Sequence, residues 1–360
     1  MDNNSVGFSG SYHSDDITFL LKPVQMEVTS VDKKEELIQS GAMHYSEMIS
    51  AESAPTDAYM NIFDQAMSLG ALRMGKEVAE LAQSISTQVE GPITLASLVR
   101  AGAPLGVLLY RALKRLGRDV EHYGISIIRD RGLDGEAMNY MLSRRPIEGL
   151  LFVDGWTGKG AISGELKRDF AKYSDQEPRM VVLADPCRKA WLAASGDDWL
   201  IPSGILGSTV SGLISRTILN DKVVGDGDFH ACVKWYHLAQ HDISNRFVDE
   251  VWEHVTSNLD SAIPSVWHAG ENVFMSAMAE RTVDWVVKQN DVTNINRVKP
   301  GIAEATRAIL RRMPERVYVS NPNDPELAAL MHLIGKLGVP YDVLPEMKAY
   351  RAITLIKKVT

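Results

Sequence analysis

Gly149-Leu150-Leu151-Phe152-Val153-Asp154-Gly155-Trp156-Thr157-Gly158-Lys159-Gly160-Ala161-Ile162-Ser163 is the stretch that decides the fold. A short apolar run ends in an acidic residue, passes through a Gly/Thr-rich turn and enters a helix-compatible segment. Such a run, without polar alternation, fits a strand buried on both faces of a parallel sheet. Glycines let the turn approach an anion, and the following helix start presents free N–H groups and partial positive charge. Asp154, at the strand end, is placed to accept hydrogen bonds from a sugar diol. Lys159 adds charge but lacks the spacing of a Walker-A lysine. An ordinary strand–turn–helix junction needs the same residues.

The same texture recurs on either side. Apolar runs at 93–99, 120–128 and 180–184 alternate with helix-compatible stretches at 105–116, 136–144 and 161–173. This predicts an α/β fold, a parallel sheet with helices on both faces, and it directs attention to the carboxyl ends of the strands. Two more turns stand there. Arg100-Ala101-Gly102 ends one strand, and its guanidinium suits a phosphate. With Pro104 following, the segment equally suits a plain helix start. Arg129-Asp130-Arg131-Gly132 leaves another strand as a charged loop.

Farther out, residues 17–21 form an extended piece that Pro23 confines to an edge. Pro55-Thr56-Asp57 opens an amphipathic helix carrying Tyr59, Ile62, Phe63, Ala66 and Met67. Residues 204–219 are expected as a Gly/Ser/Thr-rich helix, whose hydroxyl-rich Ser208-Thr209-Val210-Ser211 suits capping or contact with a phosphate, capping being preferred, and 222–296 as a helical insertion. A basic helix follows Pro300-Gly301, with a hinge at Met313-Pro314-Glu315. The expected division is a helical hood at 1–89, a core at 90–313 and a small α/β unit at 314–360.

Composition bounds the function. The 360 residues are 45% apolar and 23% charged, as in ordinary globular chains. No apolar run reaches bilayer length. The polar start lacks the features of a secretory signal. Two cysteines, Cys187 and Cys232, cannot build a disulfide framework, so a reducing cytoplasm is the expected compartment. The net charge of −8 is uneven: residues 297–360 carry +5 and residues 1–296 carry −13. A basic end on an acidic chain points to a separate partner, or merely to a basic subdomain.

The Asp154 segment resembles the phosphoribosyl-pyrophosphate loop of type I phosphoribosyltransferases, and Arg100-Ala101-Gly102 resembles their pyrophosphate loop. One departure is Gly155, where those enzymes usually carry a second acid. HYSEM (44–48), DPC (185–187), STVSGLISRT (208–217) and KPGIAEATR (299–307) resemble a bacterial family of phosphoribosyltransferase-like proteins encoded with tellurite-resistance and stress genes. That family has a C-terminal Pelota-like, RNA-binding unit, which RVYVSNPNDPEL and YRAITLIKK fit.

The resemblance implies a type I phosphoribosyltransferase-like core and a glycosyltransferase reaction. A small base-like acceptor would displace pyrophosphate from phosphoribosyl pyrophosphate, yielding a nucleoside-like metabolite in stress. It assigns the ribose hydroxyls to Asp154 and the 5′-phosphate to Thr157, Gly158, Lys159 and Gly160. Pyrophosphate, with Mg²⁺ bridging its oxygens, falls to Arg100, Ala101 and Gly102. Closure over the leaving group falls to Arg129 or Arg131. No metal site built from protein side chains is implied. RNA is the implied partner of the C-terminal unit, with Arg311, Arg312, Arg351, Lys357 and Lys358 as its contacts. No membrane partner is expected, and a homodimer is compatible.

Some members of that family carry the label cysteine protease StiP, which supplies a rival reading. Cys187 follows the run at 180–184 through Asp185-Pro186, at the same sheet edge. His230, His237 and His241 lie downstream as candidate bases, with Asp242 to orient one of them. The same histidines with Cys232 invite a metal reading, although no HExxH pattern accompanies them.

Overall fold

The computed structural model describes residues 6–264 and 269–358. The chain opens with β1 (Thr18–Phe19), β2 (Lys22–Pro23), helix α1 (Val31–Gln39) and the long α2 (Asp57–Gln88). Alternation follows with β3 (Ile93–Leu98), α3 (Gly102–Arg115), β4 (Val120–Ile125), and a small hairpin of β5 (Ile127–Ile128) and β6 (Gly132–Leu133). Then come α4 (Gly135–Leu142), β7 (Leu150–Trp156), α5 (Ala161–Phe170), β8 (Met180–Ala184) and β9 (Leu192–Ser195). The insertion holds β10 (Ala231–Cys232), α6 (Ser244–Asn258) and α7 (Ala269–Gln289). The end comprises β11 (Val298–Pro300), α8 (Ile302–Arg311), β12 (Pro314–Val319), α9 (Ala328–Leu337), β13 (Tyr341–Val343) and β14 (Ala352–Ile356).

The main sheet has the order β1-β4-β3-β7-β8-β9, and every pairing in it is parallel. Successive side chains point to opposite faces. Leu95, Val153, Val181 and Leu183 therefore pack with α2, α3 and α6, whereas Ala96, Phe152 and Val182 pack with α4 and α5. Burial on both faces explains why the strands carry continuous apolar runs. Helix α2 is capped by Thr56, whose side chain accepts from Tyr59 N–H.

The expected helix over 204–219 does not form. Short 3₁₀ turns occupy Pro202–Gly204 and Ser208–Val210, and Gly212 takes a left-handed φ of 83°. The hydroxyls bond elsewhere: Ser211 Oγ donates to Gly207 C=O, and Ser208 Oγ donates to Glu52 rather than capping a helix.

The C-terminal sheet, in the order β11-β14-β12-β13, takes in β11, which lies ahead of the expected hinge. Antiparallel pairing of β11 with β14 makes α8 part of this unit. The unit is fastened to α1 by an ion pair between Arg312 and Glu35. It is fastened to the core by Asp198, whose carboxylate accepts from Ile302 N–H and Arg351 N–H. Among the described residues, no helix is long and apolar enough to cross a membrane.

Candidate functional site

A cavity of 720 Å³ lies at the carboxyl end of the sheet, between α1, the β7–α5 turn and α8. Asp154, Thr157, Gly158, Lys159, Gly160, Arg129, Arg131 and Ala101 all line it, so most of the residues singled out in the sequence do converge. The turn is built by a left-handed Gly160 (φ 80°), which starts α5 and leaves that helix without a side-chain cap. Asp154 accepts from Gly155 N–H at 2.8 Å, and burial pushes its carboxyl up to about 7.

Two expectations are corrected by geometry. Arg100 does not reach the cavity: its guanidinium is buried against Glu52 at 2.5 Å and Ile214 C=O at 2.9 Å. The carboxyl of Glu52 ends at about 2, because Arg100 and Arg311 outweigh the upward pull of burial. Gly102 is a packing glycine. A Cβ on it would lie 2.1 Å from Val153 C=O, so its role is the close approach of α3 to β7. Lys159 Nζ is likewise engaged, donating to Ile295 C=O at 3.1 Å and Val298 C=O at 2.7 Å, both beyond α7.

The cavity is rich in cations, with ten Lys and Arg against four Asp and Glu. Sequence reasoning missed Lys34, Arg216, Lys299 and Arg307. The signals available were Lys299 ahead of Pro300-Gly301, and the i, i+4 pair Arg307 and Arg311 on one basic helix. Burial and neighbouring cations push Lys299 down to about 7 and Lys159 to about 8. The same causes bring Arg311 to about 10.

Cys187 lies outside this cavity. It follows β8, is 3% exposed, and packs in an apolar cluster whose other members all come from the chain after residue 278, including Val283, Val286, Tyr318, Met347, Tyr350 and Leu355. Its thiol lies 3.8 Å from Asp185 Oδ1. Burial, followed by the charge of Asp185, pushes that thiol up to about 12. Asp185 is already engaged, accepting from Thr157 Oγ1, Lys189 N–H and Ala190 N–H.

The expected histidine partner is not there. The His230 ring pairs through Nδ1 with Ser126 Oγ while its backbone N–H donates to Asp134, and His237 Nε2 bonds Glu52 C=O. Asp242 accepts from Ser244 instead of orienting an imidazole. Cys232 is fully buried on β10. Among the described residues, no group of three or more His, Cys, Asp or Glu could hold a metal.

Residues 10–252 match the family model described as "Tellurite-like stress resistance cysteine protease StiP", and residues 277–358 match the PELOTA RNA binding domain. A curated relative from Acinetobacter baylyi, "Cysteine protease StiP", is 46% identical over 98% of this chain and 95% of its own.

The chain belongs to the StiP family.

Solved hypoxanthine phosphoribosyltransferase from Trypanosoma cruzi is 15% identical, with a TM-score of 0.27, covering 38% of this chain and 82% of its own. A hypoxanthine-guanine phosphoribosyltransferase from Bacillus anthracis is 14% identical, with a TM-score of 0.28, covering 45% and 94%. Likenesses this low carry no argument about activity. The phosphoribosyltransferase reading is therefore corrected. Kinship with StiP over nearly the whole chain overturns the glycosyltransferase activity expected from the turns.

Proposed function

We propose that this StiP-family chain is a thiol-dependent peptidase with Cys187 as nucleophile, held with its thiol covered by the C-terminal unit. The observation that carries this reading is the 46% identity to the Acinetobacter relative over 98% of the chain. Geometry favours Cys187 over Cys232. Cys187 leaves a main-sheet strand beside Thr157, a cavity-lining residue, whereas Cys232 sits in the two-residue β10, outside the main sheet. Uncovering Cys187 would replace an apolar wall by water and so remove the largest cause of its raised pKa, with Asp185 still opposing the thiolate and Thr157 and Lys189 favouring it. The thiolate would then attack a peptide carbonyl, the C–N bond would break as the amine takes a proton from water, and the hydroxide so formed would hydrolyse the thioester to the carboxylate and return the thiol. Both cysteines are free thiols, which fits a cytoplasmic protein.

A peptide-library cleavage screen on the full chain tests this reading. Cys187→Ser should lower turnover by at least about a thousandfold, while Cys232→Ser should retain it. Cleavage that survives Cys187→Ser would sink the assignment.

RNA contact at the C-terminal unit is supported by the PELOTA match at 277–358. The basic residues offered for it from sequence are mostly turned inward. Arg351 pairs with Asp324 and Asp197, Arg312 pairs with Glu35, and Arg311 lines the cavity. Lys357 and Lys358 are exposed at the end of β14 and are left as the outward contacts. If they hold phosphates, retention of RNA by the full chain falls with rising salt, and Lys357→Met with Lys358→Met flattens that slope.

A further inference from the structure

Lys34, Lys159 and Lys299 bring amines to the cavity wall, at the seam between the sheet edge and the C-terminal unit. Lys159 spends its amine on the carbonyls of Ile295 and Val298. The amines of Lys34 and Lys299 have no hydrogen bond or ion pair among the described residues. Lys34 is buried, 8% exposed, whereas Lys299 stays partly exposed. Lys299 is also the more firmly placed. It sits mid-strand in β11, opposite Thr354 of β14, between the buried residues Val298 and Pro300.

Its surroundings hold that amine uncharged. Burial is the largest cause; Glu304 opposes it, and Lys159, Arg129 and Arg312 add to it, leaving Lys299 at about 7. An ordinary lysine at neutral pH is a free amine for less than about one part in a thousand, and Lys299 for about half. A reachable, uncharged amine beside fixed cations is the arrangement that turns lysine into a nucleophile for carbonyl carbon.

The neighbours supply the rest. The Arg129 guanidinium has no carboxylate partner among the described residues, and its Nε is buried without a hydrogen bond. It stacks over Tyr45, 5.9 Å from the ring centroid, so its fork is held in place for a carboxylate. Glu304 of α8 lies against the β7–α5 turn, where a Cβ on Gly158 would stand 2.9 Å from its Cδ. Asp154, pushed up to about 7, is on the same wall. One ionised and one part-protonated carboxyl can accept and give protons.

We propose that Lys299 is a carbonyl-capturing amine, and that its ligand is a small α-oxo acid held through its carboxylate by Arg129. The amine lone pair adds to the carbonyl carbon, and a proton passes from nitrogen to oxygen to give a carbinolamine. The hydroxyl then leaves with a proton from Asp154, while the remaining N–H proton passes to Glu304. The products are an imine and one water, and exchange with solvent restores the two carboxyls. No oxidant or co-reactant is required. A carboxylate one bond from the reacting carbon lets a fixed guanidinium set where that carbon lies. The excess of cations over acids on the wall selects an anionic carbonyl over a neutral one. The proposal does not depend on Cys187 being a nucleophile.

Glyoxylate is the probe, added to the full chain near neutral pH with cyanoborohydride, which reduces the imine to a stable carboxymethyl amine. Peptide mass spectrometry locates the label. Acetaldehyde is the neutral comparison, and the exposed Lys357 and Lys358 are references within the same sample. With acetaldehyde, Lys299 should be labelled about tenfold faster than the references, since its larger amine fraction outweighs its weaker basicity. With glyoxylate the preference should reach about a hundredfold, the added factor coming from the carboxylate contact. Arg129→Met should return the glyoxylate preference to the acetaldehyde level. In urea the preference should vanish with both reagents. Glyoxylate labelling of Lys34, Lys357 or Lys358 as fast as Lys299 would overturn the site. Equal preference with the two reagents on the unaltered chain would overturn the α-oxo acid, and that comparison needs no variant to fold.

Discussion

The turns after β7 and β8 leave neighbouring parallel strands at one edge of one sheet, yet their surroundings are opposite. The β7 turn faces a cavity crowded with cations and holds a carboxyl, Asp154, pushed up to about 7. The β8 turn ends in a thiol sealed by apolar side chains and pushed up to about 12. In doubly wound sheets the carboxyl edge is where ligands gather, but the covering element decides what each turn can do. Here α7 and the C-terminal unit together cover both, placing arginines and lysines over one and Val, Met and Tyr over the other.

The largest effect separating the two regions should be in thiol chemistry. At neutral pH, Cys187 in the native chain should react with a thiol-specific disulfide reagent about a thousandfold more slowly than in the unfolded chain, given its burial and scarce thiolate. Met347→Ala combined with Tyr350→Ala should speed Cys187 by at least about tenfold and leave Cys232 unchanged, as read by mass spectrometry of the labelled sites. Equal acceleration of both thiols would mean general loosening, and the contrast would no longer belong to the cover.

Next in size is a difference of sign in stability. Asp154 has a folded pKa raised above its unfolded one, so the folded state binds more protons between about pH 4 and 7, and stability falls across that window as pH rises. Asp154→Asn keeps an acceptor for Gly155 N–H and should gain about 1–3 kcal/mol at pH 8, with no gain at pH 4. Cys187→Ala, by contrast, removes packed volume and should lose about 1–2 kcal/mol at either pH. Urea unfolding at the two pH values checks both, and a destabilised Asp154→Asn at pH 8 would break the comparison.

The smallest effect lies where the two regions touch. Tyr350 packs in the apolar cluster around Cys187, and its hydroxyl donates to Gly158 C=O at 2.9 Å, on the other turn. Tyr350→Phe should cost about 1 kcal/mol in urea unfolding. A cost near zero would uncouple the two turns.

The alternation of strands and helices from residue 93 to residue 184 was legible because a strand buried on both faces needs an unbroken apolar run. The convergence of Asp154, Lys159 and Arg129 followed from their places after such strands. The partner of Arg100 was not legible, since Glu52 lies in a segment whose path no local pattern dictates. Nor was the cover over Cys187, because periodicity reports which face of an element is apolar but not what it packs against. The +5 of the C-terminal residues was visible, but its direction was not: much of it points into the seam. The segment at 204–219 misled because its hydroxyls find partners outside a helix, Ser211 on Gly207 C=O and Ser208 on the distant Glu52, while Gly212 takes a left-handed φ.

Tyr350, Met347 and Val283 cover Cys187 from within the same polypeptide. Such a cover is present at an effective concentration of millimolar order or above, whatever the amount of protein in the cell. Dilution cannot strip it, and raising expression cannot saturate it. Opening is a first-order event, with a rate set by the contacts broken at the seam and not by how many copies of the chain are present.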